Sequence, residues 1–137
     1  MAKVYVTRRM HFSAAHRLHS DKLSDEENEQ VYGLCNNPVG HGHNYDVEIT
    51  VAGEPDPVTG MVIDLKELKD VVQRVIIDKM DHKHLNLQVD FMKDIVPTAE
   101  NIAIAIWQQL DGQLPSGELY EIKLYETPRN IAVYRGE

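Results

Sequence analysis

Residues 44–80, NYDVEITVAGEPDPVTGMVIDLKELKDVVQRVIIDKM, change their hydrophobic period partway along. From Tyr45 to Val51 the alternation is clean. Tyr45, Val47, Ile49 and Val51 fall on one face, and Asp46, Glu48 and Thr50 on the other. A period of two with one apolar face is the pattern of a half-buried antiparallel strand. GEPDPVTG (residues 53–60) is dense in turn formers and predicts a link to a short strand at Met61 to Ile63. From Asp64 onward the apolar residues recur as Leu65, Leu68, Val72, Val75 and Ile76, a stripe of helical period. Asp64 suits the N-cap of that helix, with Glu67 three residues on as its capping-box partner.

Working outward, Val4 to about Leu18 reads as a strand, with Val4, Val6, Met10, Phe12, Ala14 and His16 on one face. SDKLSDEENEQ (residues 20–30) is polar and acidic and reads as a solvated surface loop. PTAENIAIAIWQQL opens a second helix, with Thr98 as N-cap and Ile102, Ala103, Ile106, Trp107 and Leu110 as its buried stripe. Two strands follow, Leu119 to Glu126 and Ile131 to Arg135, joined by TPRN. Strands, two helices, then strands predict an α+β fold in which an antiparallel sheet carries two helices on one face. One domain over residues 1–137 accommodates all of it. A small sheet covered on one side leaves edges that invite pairing between subunits, so an oligomer is expected.

The chain's 42% apolar and 26% charged residues match an ordinary globular protein. No apolar run approaches the roughly 20 residues that span a bilayer. MAKVYVTRRMHF has no apolar core of secretory type, so no signal peptide is expected. The single cysteine, Cys35, cannot form an internal disulfide, and the expected compartment is the reducing cytoplasm. A net charge of −8 opposes nonspecific nucleic-acid binding, which relies on phosphate neutralisation. A local basic cluster can still receive an anionic small molecule. The seven histidines fall into three groups, HFSAAHRLH, HGH and DHKH, which scattered core histidines would not do.

If His41 and His43 stand at the mouth of the strand that begins near Asn44, the period of two puts both imidazoles on one face. His16 has the matching parity on the first strand, whereas His11 and His19 have the opposite one. Three imidazoles with an open fourth position are the arrangement of a catalytic zinc site. An H-x-H pair alone is better explained by chance or a surface pair; the third histidine of matching parity tilts the reading to metal. Cys35 reads equally as a small buried hydrophobe or as a thiolate base or nucleophile. Asp81 beside His82 offers a carboxylate to orient an imidazole, though taken singly the two are better explained as a capping or polar surface pair at a helix end. Glu126 continues the largely apolar row Tyr120, Ile122 and Leu124. It is either an exposed strand end or a carboxylate that takes two parallel N–H bonds from a guanidinium, pterin or guanine edge. Glu100, in the first turn of the second helix, is most simply favoured there by the helix dipole.

Together, HFSAAH, CNNPVGHGHNY, DPVTGMVIDL, DHKHLN, PTAENIA and LYETPRN resemble, in order and spacing, the 6-pyruvoyl tetrahydropterin synthase family from about residue 5 to the C-terminus. The five residues between Cys35 and His41 resemble the pyruvoyl-forming branch, where the related 6-carboxytetrahydropterin synthases typically have three. Folate-pathway relatives place a Glu in this loop, and none stands between Cys35 and His41. The resemblance implies the tunnelling fold (T-fold), assembled as trimers into a barrel and paired as a homohexamer, with active sites between subunits. It implies that 7,8-dihydroneopterin triphosphate is converted to 6-pyruvoyltetrahydropterin with loss of triphosphate. His16, His41 and His43 match the family's zinc ligands. Cys35, Asp81 and His82 match its proton-transfer residues, and Glu126 its pterin anchor. Glu100 sits where a second pterin contact is made.

That chemistry suits the residues. Elimination and internal redox tautomerisation are proton transfers, which zinc on the side-chain oxygens would assist, with Cys35 as base and Asp81–His82 as a relay. No external reductant is required, in keeping with the lack of a nucleotide-binding glycine motif. Arg17, Lys22, Lys83 and Arg129 are the candidate, unranked cations for the triphosphate. Two alternatives remain at this stage: a 6-carboxytetrahydropterin synthase of queuosine biosynthesis, and a pterin- or zinc-binding subunit without activity. A general zinc hydrolase is disfavoured because no helical H-E-x-x-H is present.

Overall fold

The structure is a computed structural model and describes residues 2–137. It is built on a five-stranded sheet of order β3-β1-β2-β4-β5. The strands are β1 (Val4–His16), β2 (His41–Gly53), β3 (Lys83–His84), β4 (Glu118–Tyr125) and β5 (Ile131–Tyr134). The four longer strands are antiparallel neighbours, as their alternation predicts. The two-residue β3 adds a short parallel pairing with β1, so the sheet is mixed at that edge. No two-residue strand has enough period to be read from sequence.

The β1–β2 hairpin sets the register. Phe12 pairs with Tyr45, and their rings stack at 4.9 Å with both side chains fully buried. The apolar face of this ladder and of β4 (Val47, Ile49, Ile122 and Leu124) forms the sheet side of the core. The helices form the other side. α2 (Leu65–Val72) runs through a π segment, Gln73–Ile77, into the last turn α3 (Asp78–Met80), and α5 (Ala99–Leu110) packs beside it. Leu68, Val72 and Ile76 are buried as the stripe predicts, but Leu65 is exposed and Val71, Ile77 and Met80 are also buried. The π turn widens the helix by one residue, so the buried stripe shifts past Val72. Thr98 caps α5 by accepting from the Asn101 amide, and Asp64 caps α2 through the Lys66 amide, not through a box with Glu67.

Two further sequence readings are corrected. Residues 25–32 are a helix, α1 (Asp25–Tyr32), rather than loop. Ser24 and Glu27 form a reciprocal capping box, and the fully buried Asn28 donates to the carbonyls of Ser20, Leu23 and Ser24. The acidic composition masks this, because the helix takes its support from local polar bonds and not from an apolar stripe. Met61 to Ile63 form no strand, although Val62 and Ile63 are buried against the core. A 3₁₀ turn (Gly33–Asn36) follows α1, and a helical turn α4 (Leu85–Gln88) and a 3₁₀ turn (Asp90–Met92) connect β3 to α5. Among the described residues, no helix is long and apolar enough to cross a membrane.

Candidate active site

The hairpin register that stacks Phe12 on Tyr45 also pairs His16 with His41 and Ala14 with His43. The alternation that sends Phe12 and Ala14 into the core sends His16 there too, and its side chain is buried. Across the ladder His41, His43 and Tyr45 share that inward face, and the small Ala14 opposite His43 leaves space for the rings. The Nε2 atoms converge: His16 to His41 at 3.2 Å, and His41 to His43 at 3.1 Å. These three histidines form the one group of metal-ligating side chains with ligand atoms clustered within 4.8 Å among the described residues.

The donor set can be tested against an ion. Four tetrahedral ligands about 2.05 Å from zinc stand about 3.3 Å apart. The spacing found here is close to that. His16 Nδ1 lies 2.8 Å from the Pro97 carbonyl oxygen. A carbonyl only accepts, so Nδ1 carries the proton and Nε2 presents its lone pair to the cluster. Lone pairs of neutral imidazoles crowded at this distance repel one another unless a cation or a proton sits between them. The residues therefore fit a bound metal ion.

Burial dominates the electrostatics. It lowers the pKa of His16 from 6.5 to about 4, with the positive fields of His41, His43 and His84 adding to it against the Pro97 bond. His43 is lowered as well, first by burial, with nearby Glu126 opposing. Burial keeps the Tyr45 phenol protonated far above its ordinary range, with smaller contributions from Glu126 and Cys35. Its oxygen is 3.2 Å from His16 Nδ1. All these shifts keep the cluster neutral and ready to coordinate. They also set a pH dependence for metal-free protein. The unfolded chain protonates this histidine near pH 6.5 and the folded chain only near 4. Between those values the unfolded state binds more protons, so stability present above pH 6.5 falls as pH drops towards 4, by on the order of 3 kcal/mol. Urea midpoints of chelator-treated protein should show this decline, and His16→Gln should flatten it.

The other predicted residues are distributed around this cluster. Cys35 lies in the 3₁₀ turn, half-buried, and its carbonyl accepts from the Leu18 amide at 2.9 Å. With Arg17 and His41 it walls a cleft of about 850 Å³. His82 lines a different depression, which it shares with His43 and His84, and Asp81 lies next to it in sequence. There Asp81 Oδ1 accepts from the Ser13 amide at 2.9 Å, and Oδ2 meets His82 Nδ1 at 3.0 Å. The Ser13 amide, then His82, hold the Asp81 carboxyl below its usual range. His82 has a left-handed backbone, φ 61°, pinned by its amide bond to the Ser13 carbonyl at 2.7 Å. Strain of this kind in a non-glycine residue persists only where the surroundings enforce it. Glu126 stands one residue past β4, half-buried, its amide bonded to the Asn130 carbonyl at 3.0 Å. Glu100 is exposed in the first turn of α5, and no hydrogen bond joins it to the cluster among the described residues. Within one chain, then, Glu126 stands near the imidazoles, Cys35 shares a cleft with His41, and His82 shares a second depression with His43.

Three participants escaped sequence reasoning. The Pro97 carbonyl is a backbone group brought in from distant sequence, and no pattern announces it. Tyr45 was visible as an inward residue, but its hydroxyl contact depends on the hairpin register. His84 sat in the DHKH group and went unassigned. It pairs with Ala15 through β3, and its Nε2 would be 2.7 Å from a Cβ built on Gly40. Gly40, at φ 82°, leaves room for that imidazole directly before His41.

Comparison with known proteins agrees with this geometry. The family profile described as 6-pyruvoyl tetrahydropterin synthase matches residues 5–137. A 6-pyruvoyl tetrahydrobiopterin synthase of Poecilia reticulata is 56% identical over 133 residues, 97% of this chain and 90% of that one. The protein of that name from Homo sapiens is 54% identical over 132 residues, 96% of this chain and 91% of that one. The solved structure of Caenorhabditis elegans 6-pyruvoyl tetrahydropterin synthase superposes with a TM-score of 0.95 at 46% identity, over 100% of this chain and 98% of that one. The mixed sheet with its helices is thus the T-fold, and the chain belongs to the 6-pyruvoyl tetrahydropterin synthase family.

Proposed function

We propose that the chain is a zinc-dependent carbon–oxygen lyase, a 6-pyruvoyl tetrahydropterin synthase. It would convert 7,8-dihydroneopterin triphosphate to 6-pyruvoyltetrahydropterin and triphosphate in a tetrahydrobiopterin-type pathway. The observation that carries this reading is the convergence of three imidazole Nε2 atoms beside Glu126. A pterin needs an acidic anchor next to a metal-polarised side chain, and this arrangement supplies both. The relatives' names support the pyruvoyl product over the carboxy alternative.

His16, His41 and His43 would hold the ion, which when bound polarises hydroxyl and carbonyl oxygens and acidifies the neighbouring C–H bonds. Glu126 would accept two parallel N–H bonds from the pterin's amino edge and fix its orientation. Glu100 would add a second contact to the ring. Cys35, as thiolate, would take a proton from the side-chain carbon. Asp81 stays ionised and keeps the proton of His82 on Nδ1, leaving the exposed Nε2 of His82 to receive or return a proton. Because Cys35 and Asp81–His82 open in different depressions, we read the complete site as shared between subunits.

The supports for a homohexamer of paired trimers are the outer edge of β5, the part of β1 that lies beyond its two-residue pairing with β3, and the exposed Val31, Leu34 and Val39 around Cys35. Each chain would be one T-fold domain, and the expected compartment is the cytoplasm. The test is to incubate purified protein with dihydroneopterin triphosphate and identify products by mass. Pyruvoyl compound plus triphosphate is expected; the carboxy compound without it would overturn the reading.

A further inference from the structure

Thr98 is the N-cap of α5, so Asn101 occupies the third helical position. A capping box places a Glu or Gln there, whose side chain accepts from the cap residue's amide. Asn101 does the reverse. Its backbone amide donates to Thr98 Oγ1 at 3.2 Å, but its side-chain Nδ2 donates past the cap to the Val96 carbonyl at 2.9 Å. A carbonyl only accepts, so the nitrogen end of the Asn101 amide must face it. The Thr98 amide, which a capping box would satisfy with a side chain, bonds instead to the same Val96 carbonyl at 2.8 Å. That bond closes a three-residue turn centred on Pro97, whose ring fixes φ there. Helix capping does not require this arrangement.

The turn decides where one carbonyl points. The Pro97–Thr98 peptide is trans, so its N–H and its oxygen face opposite ways. The N–H is committed to Val96, and the oxygen therefore reaches His16 Nδ1 at 2.8 Å. Pro97 and His16 are both buried. The Tyr45 hydroxyl also lies 3.2 Å from that nitrogen, but a hydroxyl donates as readily as it accepts and suits either tautomer. Only the carbonyl forces the proton onto Nδ1 and leaves Nε2 free for the cluster.

We infer that Asn101 is a positioning residue of the metal centre: through Val96 and the Pro97–Thr98 peptide it fixes the tautomer and orientation of His16. This role rests on the three-histidine metal site described above, to which Asn101 itself contributes no donor atom. Replacing Asn101 by Asp separates it from a purely structural role. A carboxylate in the first turn of α5 is favoured by the helix dipole and can accept from the Thr98 amide, so for the helix alone Asp is no loss. For the turn it is the wrong group. An ionised carboxylate cannot donate to the Val96 carbonyl, and by drawing the Thr98 amide away it swings the Pro97 oxygen off His16.

The test measures zinc affinity by chelator competition in wild type, Asn101→Asp, Asn101→Ala and Ala105→Gly, with urea midpoints of the metal-free proteins alongside. Ala105→Gly loosens the interior of α5 without touching the turn. Asn101→Asp is expected to keep its metal-free stability yet bind zinc at least about tenfold more weakly, within the range of outer-shell losses. Asn101→Ala should lose similar affinity, and Ala105→Gly should lose stability but not affinity. Proton–nitrogen correlation spectra of the metal-free proteins, taken above the ordinary imidazole pKa, give a second readout. His16 should be a single Nδ1–H tautomer in wild type and Ala105→Gly, and a mixture in both Asn101 variants. Wild-type zinc affinity in Asn101→Asp, an unchanged His16 tautomer, or an equal loss of zinc in Ala105→Gly would each overturn the role of Asn101. If wild type binds no zinc but the His16 tautomer still shifts in the Asn101 variants, the metal reading falls and Asn101 stands as the residue that orients His16.

Discussion

His43→Ala is expected to leave the protein folded and nearly free of zinc. His43 supplies one of three Nε2 atoms that meet within 4.8 Å of one another, and it stands on β2 opposite the small Ala14. Two remaining imidazoles make a bidentate site open to water. Loss of an outer-shell partner typically costs 10–100-fold in metal affinity, so loss of a ligand should exceed about 100-fold. The methyl group of alanine fits where the ring was, and the half-buried position limits the structural damage. Bound zinc measured after dialysis against a mild chelator gives the answer. Wild type should retain it and the variant should not; full retention by the variant would refute the three-histidine site. Pterin turnover should fall with the metal.

Cys35→Ala carries the second large effect, and its pattern differs. General acid–base groups contribute about 10²–10⁴-fold, and turnover should fall by that amount. Zinc content should not change, because Cys35 is not among the clustered donors. Folding should also persist, since what Cys35 contributes to the loop is its backbone carbonyl, bonded to Leu18. Single-turnover rates on zinc-loaded protein separate this from the His43 result. Unchanged turnover would remove Cys35 from the mechanism.

Much of this site was legible because periodicity carries it. The clean alternation of Tyr45 to Val51 located β2, extending it back by two and four residues located the faces of His43 and His41, and the parity of His16 chose it over His11 and His19. Those inferences need only a sheet whose one face is buried, since a one-residue slip would reverse every side chain. Where structure depends on contacts between distant segments, the signal vanishes. The Pro97 carbonyl that sets the His16 tautomer and the two-residue β3 that delivers His84 belong to this class. α1 was a different failure. Ser24 and Glu27 have capping-box spacing, but the acidic run around them obscured a helix without an apolar stripe. The π segment shows the limit of period counting: Leu68, Val72 and Ile76 are buried as the stripe predicts, but past Val72 the π turn also brings Ile77 and Met80 into the core.

The pairing of His16 with His41 also has a consequence for how the chain finds its structure. The two residues close the loop that spans residues 17–40, and a metal held between them staples that loop as a cross-link would. A one-residue slip would turn the imidazoles of one strand away and a two-residue slip would separate His16 from His41, so binding of an ion would favour the correct pairing. In that sense a metal ion bound by the three imidazoles would favour the correct strand alignment during folding as well as serving the finished site.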